Sequence, residues 1–175
     1  MAITSKSTLL NASLAKNTET LFDNVVDSAV LQDVKILGAG STTLTNADSG
    51  KTIILSVADA INVVLPTPEL GMTFNFITTV TATADHAINA ATDDHGFLGG
   101  VSIHSSAAGN SDSFAAATDG NNDFITMNGT TTGGHAGSTL KIVAILNSSA
   151  AKCWAVTGML LGSGTLATPF GDAQI

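Results

Sequence analysis

The hydrophobic positions change rhythm near residue 34. In residues 17–33, Leu21, Phe22, Val25, Val26, Ala29 and Val30 recur at spacings of one and four, which places them on one helix face. The same letters also read as two short strands around Asp23-Asn24 and Asp27-Ser28, and both readings stand. From Val34 onward, short apolar runs alternate with turn residues, the rhythm of strands. Residues 34–37 end at Gly38-Ala39-Gly40, and residues 42–45 end at Asn46-Ala47-Asp48-Ser49-Gly50, a cluster that favours a tight turn. Two β-branched runs, 52–57 and 61–65, flank Ala58-Asp59-Ala60. Leu65-Pro66-Thr67-Pro68 stops the second, because proline lacks a ladder donor and restricts the residue before it. Gly71 reopens a strand over 72–79, with Met72, Phe74 and Phe76 on one face and Ile77 on the other.

Residues 80–137 are poorer in large apolar side chains. Short strands are expected at 87–91, 100–105 and 124–127, set in long surface loops or at the periphery. Residues 139–146, apolar on both faces, read as a central strand, and 152–159, with Trp154, as its hairpin partner. Residues 162–175 read as a small-residue tail. No repeat of solenoid length is visible. The expected fold is all-β, an antiparallel β-sandwich or a jelly-roll-like β-barrel with long surface loops. Residues 1–33 form an N-terminal arm, extended or partly helical, 34–161 the β-domain and 162–175 the tail.

Composition narrows the function. Much of the 44% hydrophobic content is Ala, aromatics are 5%, and there is no Tyr. The net charge is −8, and all six basic residues are Lys, so the basic patch that a nucleic acid or an anionic membrane surface requires is missing. No nucleic-acid or membrane partner is expected. The apolar stretch 140–161 is interrupted by Lys141, Asn147-Ser148-Ser149 and Lys152, which suits two strands better than a membrane span. Residues 1–15 hold no continuous apolar run of the secretory type. Cys153, the single cysteine, reads as a small buried hydrophobe beside Trp154.

The titratable residues offer little chemistry. His86, His95, His104 and His135 lie among aspartates, and Asp85-His86 and Asp93-Asp94-His95 supply metal-ligand types. Each pair falls on a turn-like segment, where solvated polar groups are the default, and three or four convergent ligands are needed. Asp119-Gly120-Asn121-Asn122-Asp123 has the alternation of a calcium loop but no downstream Glu, and reads as an Asx-type turn. No Gly-x-Ser-x-Gly elbow or P-loop is present. The chain is therefore expected to be a non-enzyme with no catalytic residue, metal or cofactor.

One ordered stretch carries a resemblance. Leu44-Thr45-Asn46-Ala47-Asp48-Ser49-Gly50-Lys51-Thr52, then Val64-Leu65-Pro66-Thr67-Pro68, Gly71 and Phe74-Asn75-Phe76-Ile77, resembles a recurrent module of tailed-bacteriophage virion proteins. Leu140-Lys141-Ile142-Val143-Ala144 and Trp154-Ala155-Val156-Thr157-Gly158 are similar to the last two strands of that module. The match covers about a fifth of the chain plus a short C-terminal piece, and its motifs are turns, strand stops and core positions. The resemblance implies a structural protein of the virion (capsid surface), a capsid decoration (cement) protein whose partner is the major capsid protein. A homotrimer follows from matching a three-fold capsid position. The capsid and subunit interface is expected at Leu9, Leu10, Leu14, Leu21, Phe22, Val25 and Val26 of the arm. The rival readings are a head-fibre, tail-associated or receptor-binding protein whose loops 83–137 contact host glycans, and a carbohydrate-binding module.

Overall fold

The computed structural model describes residues 32–107, 109–118 and 121–172. The chain divides into two units, Met1–Asp33 and Val34–Ile175, and the second holds all the described strands. The expected interface residues Leu9, Leu10, Leu14, Leu21, Phe22, Val25 and Val26, and the choice between helix and strand over 17–31, lie outside the described residues.

The second unit is a sandwich of two sheets, its regular secondary structure nearly all strand, as the alternating pattern requires. From Val34 the chain moves back and forth between them. β1 (Val34–Leu37), β3 (Thr52–Leu55) and β5 (Thr73–Thr78) enter the seven-stranded sheet, while β2 (Gly40–Thr43), β4 (Ile61–Val64) and β6 (His86–Asn89) enter the five-stranded one. β7 (Phe97–Ser105), β8 (Ser111–Ala115), β10 (Thr139–Leu146) and β11 (Lys152–Gly162) complete the large sheet, in the order β1-β3-β5-β10-β11-β7-β8. β9 (Phe124–Met127) and β12 (Phe170–Gly171) complete the small one, ordered β12-β9-β6-β4-β2.

This alternation overturns the expectation of purely antiparallel pairing. β1, β3 and β5 are parallel to one another, as are β2, β4 and β6, so residues 34–89 wind as three coils of a flattened solenoid. A chain that turns a corner into the opposite sheet and returns one layer up runs in its original direction, whereas a hairpin reverses it. Ala58-Asp59-Ala60 is accordingly a corner between sheets, with the Gly40 N–H bonded to the Ala60 carbonyl of the next coil. The solenoid character has no sequence signal because the coils are unequal: Val34 registers with Thr52, and Thr52 with Asn75. Antiparallel pairs form at β5–β10, at the expected hairpin β10–β11, at β7–β8, and at β6–β9–β12, while β11–β7 is again parallel.

The core lies between the sheets. Ile53, Phe76 and Leu140 point in from the large sheet, and Val63, Ile88 and Ile125 from the small one, each at most 3% exposed. Leu44, Leu65 and Ala90 occupy the same place in successive coils and are all buried. Trp154 is enclosed and meets Phe74 at 5.8 Å between ring centroids, a tilted pair.

Two segments are more integral than their composition suggests. Residues 80–137 are not peripheral, since β6 is the middle strand of the small sheet with all four residues buried. Small residues serve there by allowing close approach: a Cβ at Gly100 of β7 would collide with the carbonyl of Phe114 in β8. The segment 162–175 is not merely a tail, because β12 pairs with β9 and Leu166 and Phe170 join the core.

Candidate interaction surface

The stretch Leu44–Lys51 folds around one carboxylate. Leu44 anchors it in the core, and Thr45 caps a 3-10 turn, Asn46–Asp48, in which the Thr45 N–H donates to Asp48 Oδ2 at 3.0 Å. Lys35 Nζ of β1 reaches the same oxygen at 2.9 Å, and Lys51 Nζ reaches Oδ1 at 3.2 Å. Burial alone pushes the Asp48 carboxyl up. The bonds from Lys35, the Thr45 N–H, Lys51 and the Thr45 hydroxyl outweigh it and hold the group well below the usual carboxylate range. Gly50, at φ +86°, closes the turn and donates its N–H to the Thr73 carbonyl, while the Thr73 N–H donates to Ser49 Oγ at 3.1 Å. The turn thereby locks β1, β3 and β5 together. Its charges are spent internally, which makes it scaffold.

Of the two sheets, the seven-stranded one presents the broader outer face. Because side chains alternate, the positions between the buried ones face outward in rows set by the register. One row runs Val34, Thr52, Asn75, Lys141, Thr157. The next runs Ile36, Ile54, Ile77, Thr139, Met159. Ile36 is 68% exposed, Val34 53% and Met159 45%. Among the described residues of the seven strands, no outward position holds Asp or Glu, and Lys141 is the one lysine that does face outward. Asp112 of β8 falls on the other side of its strand, that of Phe114, which packs on the core. At one corner Cys153 is buried and lines a cavity with Leu98, Thr118 and Asn147-Ser148-Ser149; burial pushes its thiol up, in keeping with an unreactive group.

The candidate ligands of the sequence do not converge. His86 is enclosed in the core with Nε2 3.1 Å from the Asp59 carbonyl oxygen, while its neighbour Asp85 is exposed. His95 ends a 3-10 turn, Asp93–His95, with Nδ1 3.0 Å from Thr92 Oγ1. His104 is exposed on β7 and His135 half-buried in a loop. Among the described residues no three His, Cys, Asp or Glu side chains gather where they would hold a metal. In the loop before β9, Asn122 Oδ1 accepts from the Ala117 N–H five residues upstream, a bond that spans the loop, and residues 119–120 of the stretch expected as an Asx-type turn lie outside the described residues. The segment 83–137, expected as glycan-contacting loops in one rival reading, contains β6, β7, β8 and β9. No helix among the described residues is long and apolar enough to cross a membrane, and 140–161 is the β10–β11 hairpin.

The sequence pattern marks the apolar strand positions but not the surface they compose. Ile36, Ile54 and Ile77 are far apart in sequence and align only through the parallel coils. Comparison with known proteins finds no matching family model, no matching curated protein and no matching solved structure.

Proposed function

We propose that this chain is a virion structural protein, a capsid decoration (cement) protein of the tailed-phage type that binds the lattice of the major capsid protein and stabilises the head. The observation that carries this reading is where the resembling segments lie. Thr52 opens β3, Phe74-Asn75-Phe76-Ile77 lie in β5, Leu140–Ala144 in β10 and Trp154–Gly158 in β11, and these four strands are consecutive neighbours in the large sheet. These pieces, scattered through the sequence, make one block of the large sheet, while Val64-Leu65-Pro66-Thr67-Pro68 of the same resemblance begins at the end of β4 in the small sheet. The Asp48 turn, the core of the motif's first half, fastens that block to β1.

Cement chemistry asks for adhesive area and rigidity, which a two-sheet sandwich supplies without a reacting group. The arm, residues 1–33, is proposed to add contact with a neighbouring capsid subunit. Purified full-length protein would be incubated with undecorated heads, and occupancy followed by co-sedimentation and by immunogold microscopy of virions. Label over the head surface, and heads that resist heating better when occupied, are expected. Label confined to the tail, or no retention on heads, would discard the reading in favour of a fibre or tail protein.

A further inference from the structure

We propose that the outer face of the seven-stranded sheet is where copies of this chain associate with one another. The capsid reading looks for subunit contacts on the arm, whereas this inference rests on the charge and surface of the sheet, so it stands or falls separately.

Each chain carries a net charge of −8, so two copies repel unless the surfaces that meet are free of carboxylates. The outward positions of β1, β3, β5, β10, β11, β7 and β8 meet that condition among the described residues. The carboxylates of Asp59, Glu69, Asp85, Asp93 and Asp94 lie in turns and loops instead. A basic partner finds no carboxylate on this face to attract it, and the single outward lysine, Lys141, falls short of the basic patch that an anionic polymer requires. The complement of a face that has no carboxylate and sets the apolar row Ile36-Ile54-Ile77 beside a polar one is another such face, and a second copy supplies one.

Size agrees. Seven strands about 4.8 Å apart span roughly 30 Å, and a six-residue strand such as β5 is roughly 20 Å long, giving a face of about 600 Å². This is on the order of the 800 Å² that each partner contributes to a stable interface. The Ile36-Ile54-Ile77 row puts β-branched side chains across it, and Met159 adds an adaptable one.

The test is the mass of the full-length protein in solution, by sedimentation equilibrium at micromolar concentration. The expected mass is that of a dimer or larger assembly of the 17.6 kDa chain. The double variant Ile36→Glu, Met159→Glu places carboxylates on two exposed positions of the face and should sediment as monomer, with association weakened about 100-fold or more, the effect of like charges opposed across an interface. Lys141→Glu, at an exposed position, should weaken it in the same direction and decides the matter if the double variant does not fold. Thr43→Glu, on the exposed outer side of the small sheet, should leave the mass unchanged. A monomeric wild type, an oligomer that persists in the folded face variants, or equal dissociation by Thr43→Glu overturns the proposal. Failure of head binding with self-association intact overturns the capsid reading alone.

Discussion

Lys35 Nζ lies 2.9 Å from Asp48 Oδ2, tying the edge strand β1 to the turn that leads into β3. The carboxylate is 7% exposed at its side chain and each lysine is about a quarter to a third exposed, so the pair sits where the domain surface closes over. A charge-assisted bond from one side of a coil to the next resists separation of β1, an edge strand of the large sheet with a neighbour on one side.

Replacing Asp48 with Asn removes the anion that both lysines and the Thr45 N–H address. Because the lysine ammonium groups can rehydrate, the cost is below that of an enclosed pair, and about 2 kcal/mol is expected. Chemical denaturation at pH 7 would measure it. The wild-type advantage also has a defined pH window. The Asp48 pKa is depressed in the folded protein, so its stabilisation is complete above the unfolded value of about 3.9 and is lost as pH falls through the lower folded value. Wild type and Asp48→Asn should therefore converge in stability in strong acid.

The segment after β11 is expected to be required for full stability. Phe170 is 7% exposed within the core, so Phe170→Ala should cost about 3 kcal/mol. Truncation after Gly162 removes β12 and Leu166 as well, and should lower the thermal midpoint further. A truncated chain that melts with the wild type would show that the β9–β12 pairing contributes nothing.

Much of the strand content is legible because alternation reports which side of a strand is buried. Met72, Phe74 and Phe76 share a face in the sequence and all three are buried, and the hairpin of β10 with β11 follows from two apolar runs around Asn147-Ser148-Ser149. Alternation does not say which sheet a strand joins. The two β-branched runs around Ala58-Asp59-Ala60 look like neighbours but belong to opposite sheets. β6 is faint in the sequence because Ala87 and Asn89 are poor hydrophobic signals, yet Asn89 is buried by bonding Asn62 and the Val63 carbonyl. Of the Asp48 cluster, Lys51 is close in sequence, whereas Lys35 arrives from the preceding coil. The surface residues are legible one by one as apolar, and their alignment is not.

Gly99 tests the close approach of β7 to β11. Its φ is +102°, a region that L side chains rarely adopt, and an added Cβ would strike the Val156 carbonyl. Gly99→Ala should destabilise the domain by about 2 kcal/mol or more. Gly38→Ala is the control: its φ is ordinary and the space about it is open, so its effect should stay within about 0.5 kcal/mol. Equal unfolding midpoints for the two variants would refute the packing constraint.

His86 should give the domain a second pH dependence, opposite in charge logic to Asp48 but equal in direction. Burial in β6 penalises the imidazolium and lowers the His86 pKa, against the carbonyls of Asp59 and Val57 and the charge of Asp85, which favour the cation. The unfolded chain takes up a proton near pH ~6.5 and the folded one only at lower pH. Stability linked to His86 is therefore complete above about 6.5 and declines as pH falls below it, by up to about 1.4 kcal/mol per pH unit until the folded pKa is reached. Denaturation midpoints between about pH 8 and about pH 5 would follow the decline, and His86→Leu, which cannot titrate, should flatten that part of the profile. Since Asp48 acts only in stronger acid, a wild-type decline that survives unchanged in His86→Leu would assign the dependence to another group.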